Sequence, residues 1–457
     1  LFLPTCSGLS SATRHTKLHR TSTWTPSSMA LLSLLLANFA TGGDALALSS
    51  RTPNDPFQVA ARPVDSVVRE ETISARVRQT VAAMERDESY LAQLVGCFSM
   101  AVDSSNKSAQ DEAARAGAID AIARAMDLFP ESVELVTTCT YILSTIVLFN
   151  RANGLQAGRL GCLNRTLHTY MTHMDSPQAM SLGGAIGAYF DYVDENRAIA
   201  RELGGIRAII QNIKNNFHGQ YSEWDYDSVK QSLFALSSGC WTNQDVCAEE
   251  GFPALAARLM AEHGGETKIA EETLQVAKAL IDGSEEYRQQ LVDAGVTDSM
   301  VHVMDASKHD QGAVDLACET FQKLVGPSVQ YSGQARAFSP SIQAAALKSG
   351  ALRPVMAVFT EGTEMRQHEH GAFNFDVDSA YNARRDCFAA LAALVHDNAH
   401  TKRTMLDAGF MDIVSADLKN PRTAPDERAA GCRVMVEMSS AATTGPQSLL
   451  AEALNCK

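Results

Sequence analysis

His368, Glu369 and His370, with Glu361 and Glu364 close by, have the residue types of a metal site. Two imidazoles and a carboxylate can hold zinc. Here they sit in consecutive positions of a loop-like segment, and the order is not the HExxH that places two histidines on one face of a helix. No metal is expected. Ser104-Ser105-Asn106-Lys107 has the SxxK spacing of serine acyl-transfer enzymes, but its companion motifs are missing and it falls between helices. The sequence carries no GxGxxG, GxxxxGK[ST] or GxSxG. It therefore points to no cofactor and no catalysis.

Ten cysteines are spread without CxxC pairs. Cys139, Cys240, Cys318, Cys387 and Cys432 fall in apolar helical stretches, where a free thiol behaves as a small hydrophobe. A disulfide framework belongs to short secreted chains. Reduced thiols, in the cytoplasm or an organelle matrix, are the expectation.

The elements around these residues are helical. Aromatics make up only 7% of the chain, strand-like runs are few, and Ala, Leu and Met are plentiful. One punctuation recurs: "ARAGAIDAIARAM", "LQAGRLGCLNRTL", "ARELGGIRAIIQNI", "CAEEGFPALAARLM", "LVDAGVTDSMVHVM", "ALKSGALRPVMAVF" and "MLDAGFMDIVSADL". Its glycines, Gly117, Gly161, Gly204, Gly251, Gly295, Gly350 and Gly409, are spaced 44, 43, 47, 44, 55 and 59 residues apart. Helical units with a period in the forties indicate a solenoid. Each unit reads as a short helix, a sharp turn with positive φ at the glycine, a second amphipathic helix, and a longer third helix such as "VTTCTYILSTIVLF". Pairs such as Asn196-Arg197 and Asn243-Gln244, seven or eight residues before the glycine, are read as helping to start the short helix. No unit can cover its own apolar faces, so each must stack on the next.

This pattern resembles the armadillo repeat family over about residues 100–442, with "DENRAIARELGGIRAIIQNI" the best single match. The resemblance implies an all-α, right-handed solenoid of about seven to eight three-helix repeats whose third helices line a concave, peptide- or protein-binding groove. The expected organisation is a leader over 1–63, capping helices over 64–104, the solenoid over 105–445 and a tail over 446–457. Importin-alpha-type grooves carry a ladder of Trp and Asn on successive third helices. The corresponding pairs here, Tyr141/Thr145, Gly184/Ala188, Gln231/Ala235, Gln275/Ala279 and Ala389/Ala393, form no such ladder. Tyr141, Gln231 and Gln275 are the groove residues expected to meet a partner. Gly183, Gly184 and Gly187 admit either a ligand or a closely packed helix.

Three insertions break the period, at 215–228, 326–341 and 361–379. The first gathers Phe217, Tyr221, Trp224 and Tyr226 in a chain poor in aromatics, and large aromatic anchors dominate interface energetics. Glu223, Asp225 and Asp227 among them favour a basic partner.

The net charge of −14 becomes −16 once residues 1–50 are set aside, which argues against a nucleic-acid partner. Residues 1–28 hold twelve Ser or Thr, three basic residues and no acid, as in a transit peptide. Alternatively, Met29 begins a signal-like segment whose apolar run is too short to span a membrane. In a secreted chain Asn106-Lys107-Ser108 and Asn164-Arg165-Thr166 would accept glycans, though the second lies on a helix expected to pack. The sequence thus predicts a non-catalytic interaction scaffold or adaptor in the cytoplasm. The alternative is an organelle-imported assembly factor or chaperone holding a client or cofactor.

Overall fold

The computed structural model describes residues 66–176, 179, 181–216, 223–308, 310–329, 335–360, 383–420 and 423–439. The leader, the His368-Glu369-His370 segment, Phe217, Tyr221 and the C-terminal tail lie outside these, as does the side chain of Trp224. The chain divides into two units, and every described helix belongs to the one formed by Phe57–His370 and Asn374–Lys457.

Two helices, Ser66–Arg86 and Tyr90–Ser99, precede seven repeats of short, second and third helix. All seven predicted glycines have positive φ, between 66° and 92°. That left-handed residue ends the short helix and starts the second within one step, because its missing Cβ removes the clash with the following carbonyl. The third helices are Val133–Val147, Leu182–Phe190, Glu223–Gly239, Thr267–Ile281, Gln311–Val325, Ala383–Val395 and Pro425–Ser439. Each packs on the next, and Tyr90–Ser99 packs on the first of them as a third helix would. Their apolar faces and those of the second helices merge into a single cluster running from Val77 to Met438.

Buried side chains lock the layers together. The last turns of helices leave backbone carbonyls without intrahelical donors. In the first six repeats a buried residue seven or eight positions before the glycine supplies them. Gln110 donates to Leu148 O at 2.8 Å, Arg288 to Leu324 O at 3.0 Å, and Gln343 to His396 O at 2.8 Å. In the second to fourth repeats this residue is Asn and reaches two layers at once. Asn153 donates to Ile146 O (3.0 Å) and Gln110 O (3.3 Å), and Asn196 to Tyr189 O (2.8 Å) and Gly154 O (3.0 Å). Asn243 bonds Gly239 O (2.9 Å) and Arg197 O (3.4 Å). The expectation that these asparagines start the short helices is therefore corrected for Asn196, which lies inside its helix, whereas Asn243 does stand at the N-cap of Gln244–Glu249 but makes no capping bond with its side chain. Starting falls elsewhere, to Asn106, Asn150, Ser284 and Asn398, whose side chains accept the third amide of the following helix.

The insertions are also redrawn. Asn215 and Asn216 end a second helix, Gly205–Asn216, and the third helix already begins at Glu223, so much of the first insertion is helical. The second contains a two-residue antiparallel pair, Ser328↔Arg336 and Val329↔Ala335.

The cysteines depart furthest from expectation. Cys97 bonds Cys139, Cys240 bonds Cys247, and Cys318 bonds Cys387, while Cys432 is also disulfide-bonded. Among the described residues only Cys162 is a free thiol. Stacking brings neighbouring third helices within bonding reach, so pairs 42 and 69 residues apart meet without any local motif.

Two substitutions test this account by chemical denaturation. Gly204→Ala, where a Cβ would meet nothing within 4 Å, isolates backbone strain and should lower stability by about 1–2 kcal/mol. Asn196→Ala strips the buried carbonyls of Gly154 and Tyr189 of their donor and should cost about 2 kcal/mol. A neutral result at either position would remove the role assigned to it.

Candidate functional site

Every repeat contributes a third helix to one continuous row, and polar side chains cross from helix to helix along it. Tyr90 Oη donates to Glu134 at 2.7 Å, and Tyr141 Oη donates to the carbonyl of Ser181. Lys278 meets Glu319 at 2.5 Å and Lys323 meets Asp282 at 2.8 Å. Arg384 donates to Glu427 at 2.9 Å, and His396 lies 3.0 Å from Glu437. These partners are 41 to 44 residues apart in sequence, apart from Tyr141 and Ser181 at 40. No window of the sequence contains both ends of a rung.

Three of the predicted contact residues lie on this row. Tyr141, Gln231 and Gln275 occupy the first, third and fourth third helices, each half-buried. Tyr141 already uses its hydroxyl to bridge to the next repeat, and burial holds that phenol in its neutral form by raising its pKa. Gln231 fills the space left open by Gly184, where a Cβ would fall 1.7 Å from its Oε1. A Cβ on Gly183 would meet the backbone of Gln231 and Ser232 at 2.8–3.0 Å, and one on Gly187 the ring of Phe234 at 2.6 Å. This glycine run serves close helix packing, the second of its two readings. Tyr226 is half-buried against the core, with Lys230 Nζ 6.0 Å from its ring centre.

The composition of the row hides its chemistry, because several carboxyls are buried. Burial pushes Glu272 up to about 7, against a hydrogen bond from Ser237 that lowers it. Burial likewise raises Asp191 to about 6, although Ser238 donates to its Oδ1 at 2.8 Å. Asp315 and Asp386 face each other across the fifth and sixth third helices. Burial and the neighbouring carboxylate together hold Asp315 well above the usual range. Asp191 Oδ2 and Asp315 Oδ1 find no hydrogen-bond donor among the described residues.

The Cys162 thiol is buried and pushed up to about 12, which keeps it protonated and unreactive. Among the described residues no three His, Cys, Asp or Glu side chains are grouped to hold a metal. No helix there is long and apolar enough to cross a membrane.

The buried carboxyls predict a pH dependence. Glu272 moves from 4.5 unfolded to about 7 folded, and Asp191 from 3.8 to about 6. A raised acid contributes stability that is complete below its unfolded pKa and lost as pH rises through the folded one. The melting temperature should therefore fall between pH 4.5 and about 7. Glu272→Gln should flatten that fall, and an unchanged slope would show that Glu272 is already ionised.

No protein-family model matches the sequence, and no curated protein matches it. Solved structures do. An engineered protein aligns at 12% identity over 83% of this chain and 92% of its own, with a TM-score of 0.53. A computationally designed armadillo repeat protein for modular peptide recognition aligns at 13% identity over 60% of this chain and 99% of its own, with a TM-score of 0.45. A designed armadillo repeat protein in complex with the peptide (KR)4 aligns at 12% identity over 64% and 99%, with a TM-score of 0.42. The fold is an armadillo-like, all-α helical solenoid.

Proposed function

We propose that this chain is a non-catalytic interaction scaffold that seats an extended segment of a protein partner along its row of third helices. The observation that carries the proposal is the unbroken succession of those helices, each presenting half-buried polar side chains beside the next. Peptide recognition by repeat proteins uses such a periodic surface, because a partner in extended form can meet one layer after another. Tyr141, Gln231 and Gln275 are its proposed contacts, with Tyr226 and the neighbouring aromatics Phe217, Tyr221 and Trp224 as a second contact region.

The partner segment is proposed to be cationic. The acidic balance of the chain supports that sign of charge. The proposed setting is an oxidising compartment rather than the cytoplasm. Buried disulfides between layers support it, since cytosolic thiols are kept reduced.

A displayed library of extended peptides varied in Lys and Arg, screened against the full chain, tests the binding role. Gln231→Arg with Gln275→Arg should weaken the selected peptide at least about tenfold, or about 1.4 kcal/mol, in protein that still unfolds cooperatively. Selection of neutral or acidic peptides would overturn the charge assignment. Equal binding by the double variant would move the site off these helices. Separately, alkylation under non-reducing conditions should leave Cys97, Cys139, Cys318 and Cys387 unlabelled in chain taken from its source cells. In a loop-entropy account, closing the 69-residue loop between Cys318 and Cys387 stabilises the fold by about 4 kcal/mol, so reduction should lower the unfolding midpoint.

A further inference from the structure

Asn106-Lys107-Ser108 and Asn164-Arg165-Thr166 are the two Asn-X-Ser/Thr sequences of the chain. They differ in what folding does to them. Asn106, Lys107 and Ser108 are all exposed. They sit where a turn, closed by Asp103 Oδ1 accepting from Ser105 N at 3.0 Å, enters the short helix Lys107–Arg115. The Asn106 side chain caps that helix through Oδ1, which accepts from Ala109 N at 3.1 Å. The cap uses the oxygen and leaves Nδ2, the atom on which N-glycosylation acts, outside that bond. Asn164 is exposed too, although its helix packs against its neighbours as expected. Its acceptor threonine is not: Thr166 is fully buried, donates to Cys162 O at 2.9 Å and lies 2.9 Å from Thr140 Oγ1.

We propose that Asn106 is an N-glycosylation site, open before and after folding, whereas Asn164 is open only until its helix packs. The proposal rests on the oxidising compartment argued above, where the modifying machinery and disulfide formation coexist. The donor is an oligosaccharide linked to a polyprenyl diphosphate. Asn106 Nδ2 attacks the anomeric carbon, forming the C–N bond as the C–O bond to the diphosphate breaks. The lipid diphosphate leaves with the bonding electrons, and the Nδ2 proton passes to the transferase. Oxidation states are unchanged, so no redox partner is needed. Neither asparagine lies on a third helix.

The test expresses the full chain behind a heterologous cleavable signal sequence in glycosylating secretory cells. Cell-associated and secreted pools are treated with a peptide-N-glycosidase in heavy-oxygen water, then mapped by peptide mass. Heavy-oxygen aspartate at position 106 is the expected result. Ser108→Ala should lose that tag while retaining the melting temperature, because the capping Asn106 remains. An unmodified Asn106 in chain whose disulfides have formed would overturn the proposal. The compartment reading fails separately, by free thiols at Cys97 and Cys139 in chain taken from its source cells, whatever the forced-entry result.

Discussion

No layer of this protein is complete without its neighbour. A short helix, a second helix and a third helix enclose too little volume to cover their own apolar faces, and one cluster from Val77 to Met438 results only when all are stacked. Stacking then creates a second problem. The ends of the third helices are driven into the interior, where a carbonyl without a donor is costly. Gln110, Asn153, Asn196, Asn243, Arg288 and Gln343 resolve it from corresponding positions. The three asparagines also bond the short helix before their own, so the same side chain satisfies a helix end and sets the spacing between repeats.

The surface follows the same logic at lower energy. Arg151 pairs with Glu195 and Arg201 with Asp245, each 44 residues on, because adjacent short helices lie side by side. These pairs are about half exposed, and such pairs add only a fraction of a kcal/mol each. Their meaning is register. Along the third helices the equivalent rungs are more buried, and burial changes the chemistry. It leaves Asp191, Glu272 and Asp315 partly or wholly protonated near neutrality, so a face rich in carboxyls carries less negative charge than its composition suggests.

Disulfides reinforce the same seams. Cys97–Cys139 ties helix Tyr90–Ser99 to the first third helix, and Cys318–Cys387 ties the fifth to the sixth, across which Asp315 faces Asp386. The fifth-to-sixth junction is also where the chain departs most from its period before a third helix resumes. A covalent link there holds two layers whose connection through the chain is longest.

The repeat was legible in sequence because its signal is local. A left-handed residue must be glycine unless strain is accepted, so Gly117 and its six counterparts mark every turn, and the apolar spacing on either side marks the helices. Period, helix order and fold class follow from those two signals. The candidate face was legible only in outline. Tyr141, Gln231 and Gln275 fall on third helices as their register required, but that Tyr141 bridges to Ser181 and Gln231 fills the space over Gly184 depends on residues 40 or more positions away. Asn196 could be noticed and still misread, because a capping asparagine and a bridging one look alike until the carbonyls they face are known. The cysteines show the limit most sharply. A thiol in an apolar helix has the same sequence environment whether free, like Cys162, or bonded, like Cys139. Only the packing of one repeat on the next decides which sulfur finds a partner and which carboxyl is buried beside another, because those outcomes depend on distances that no stretch of sequence contains.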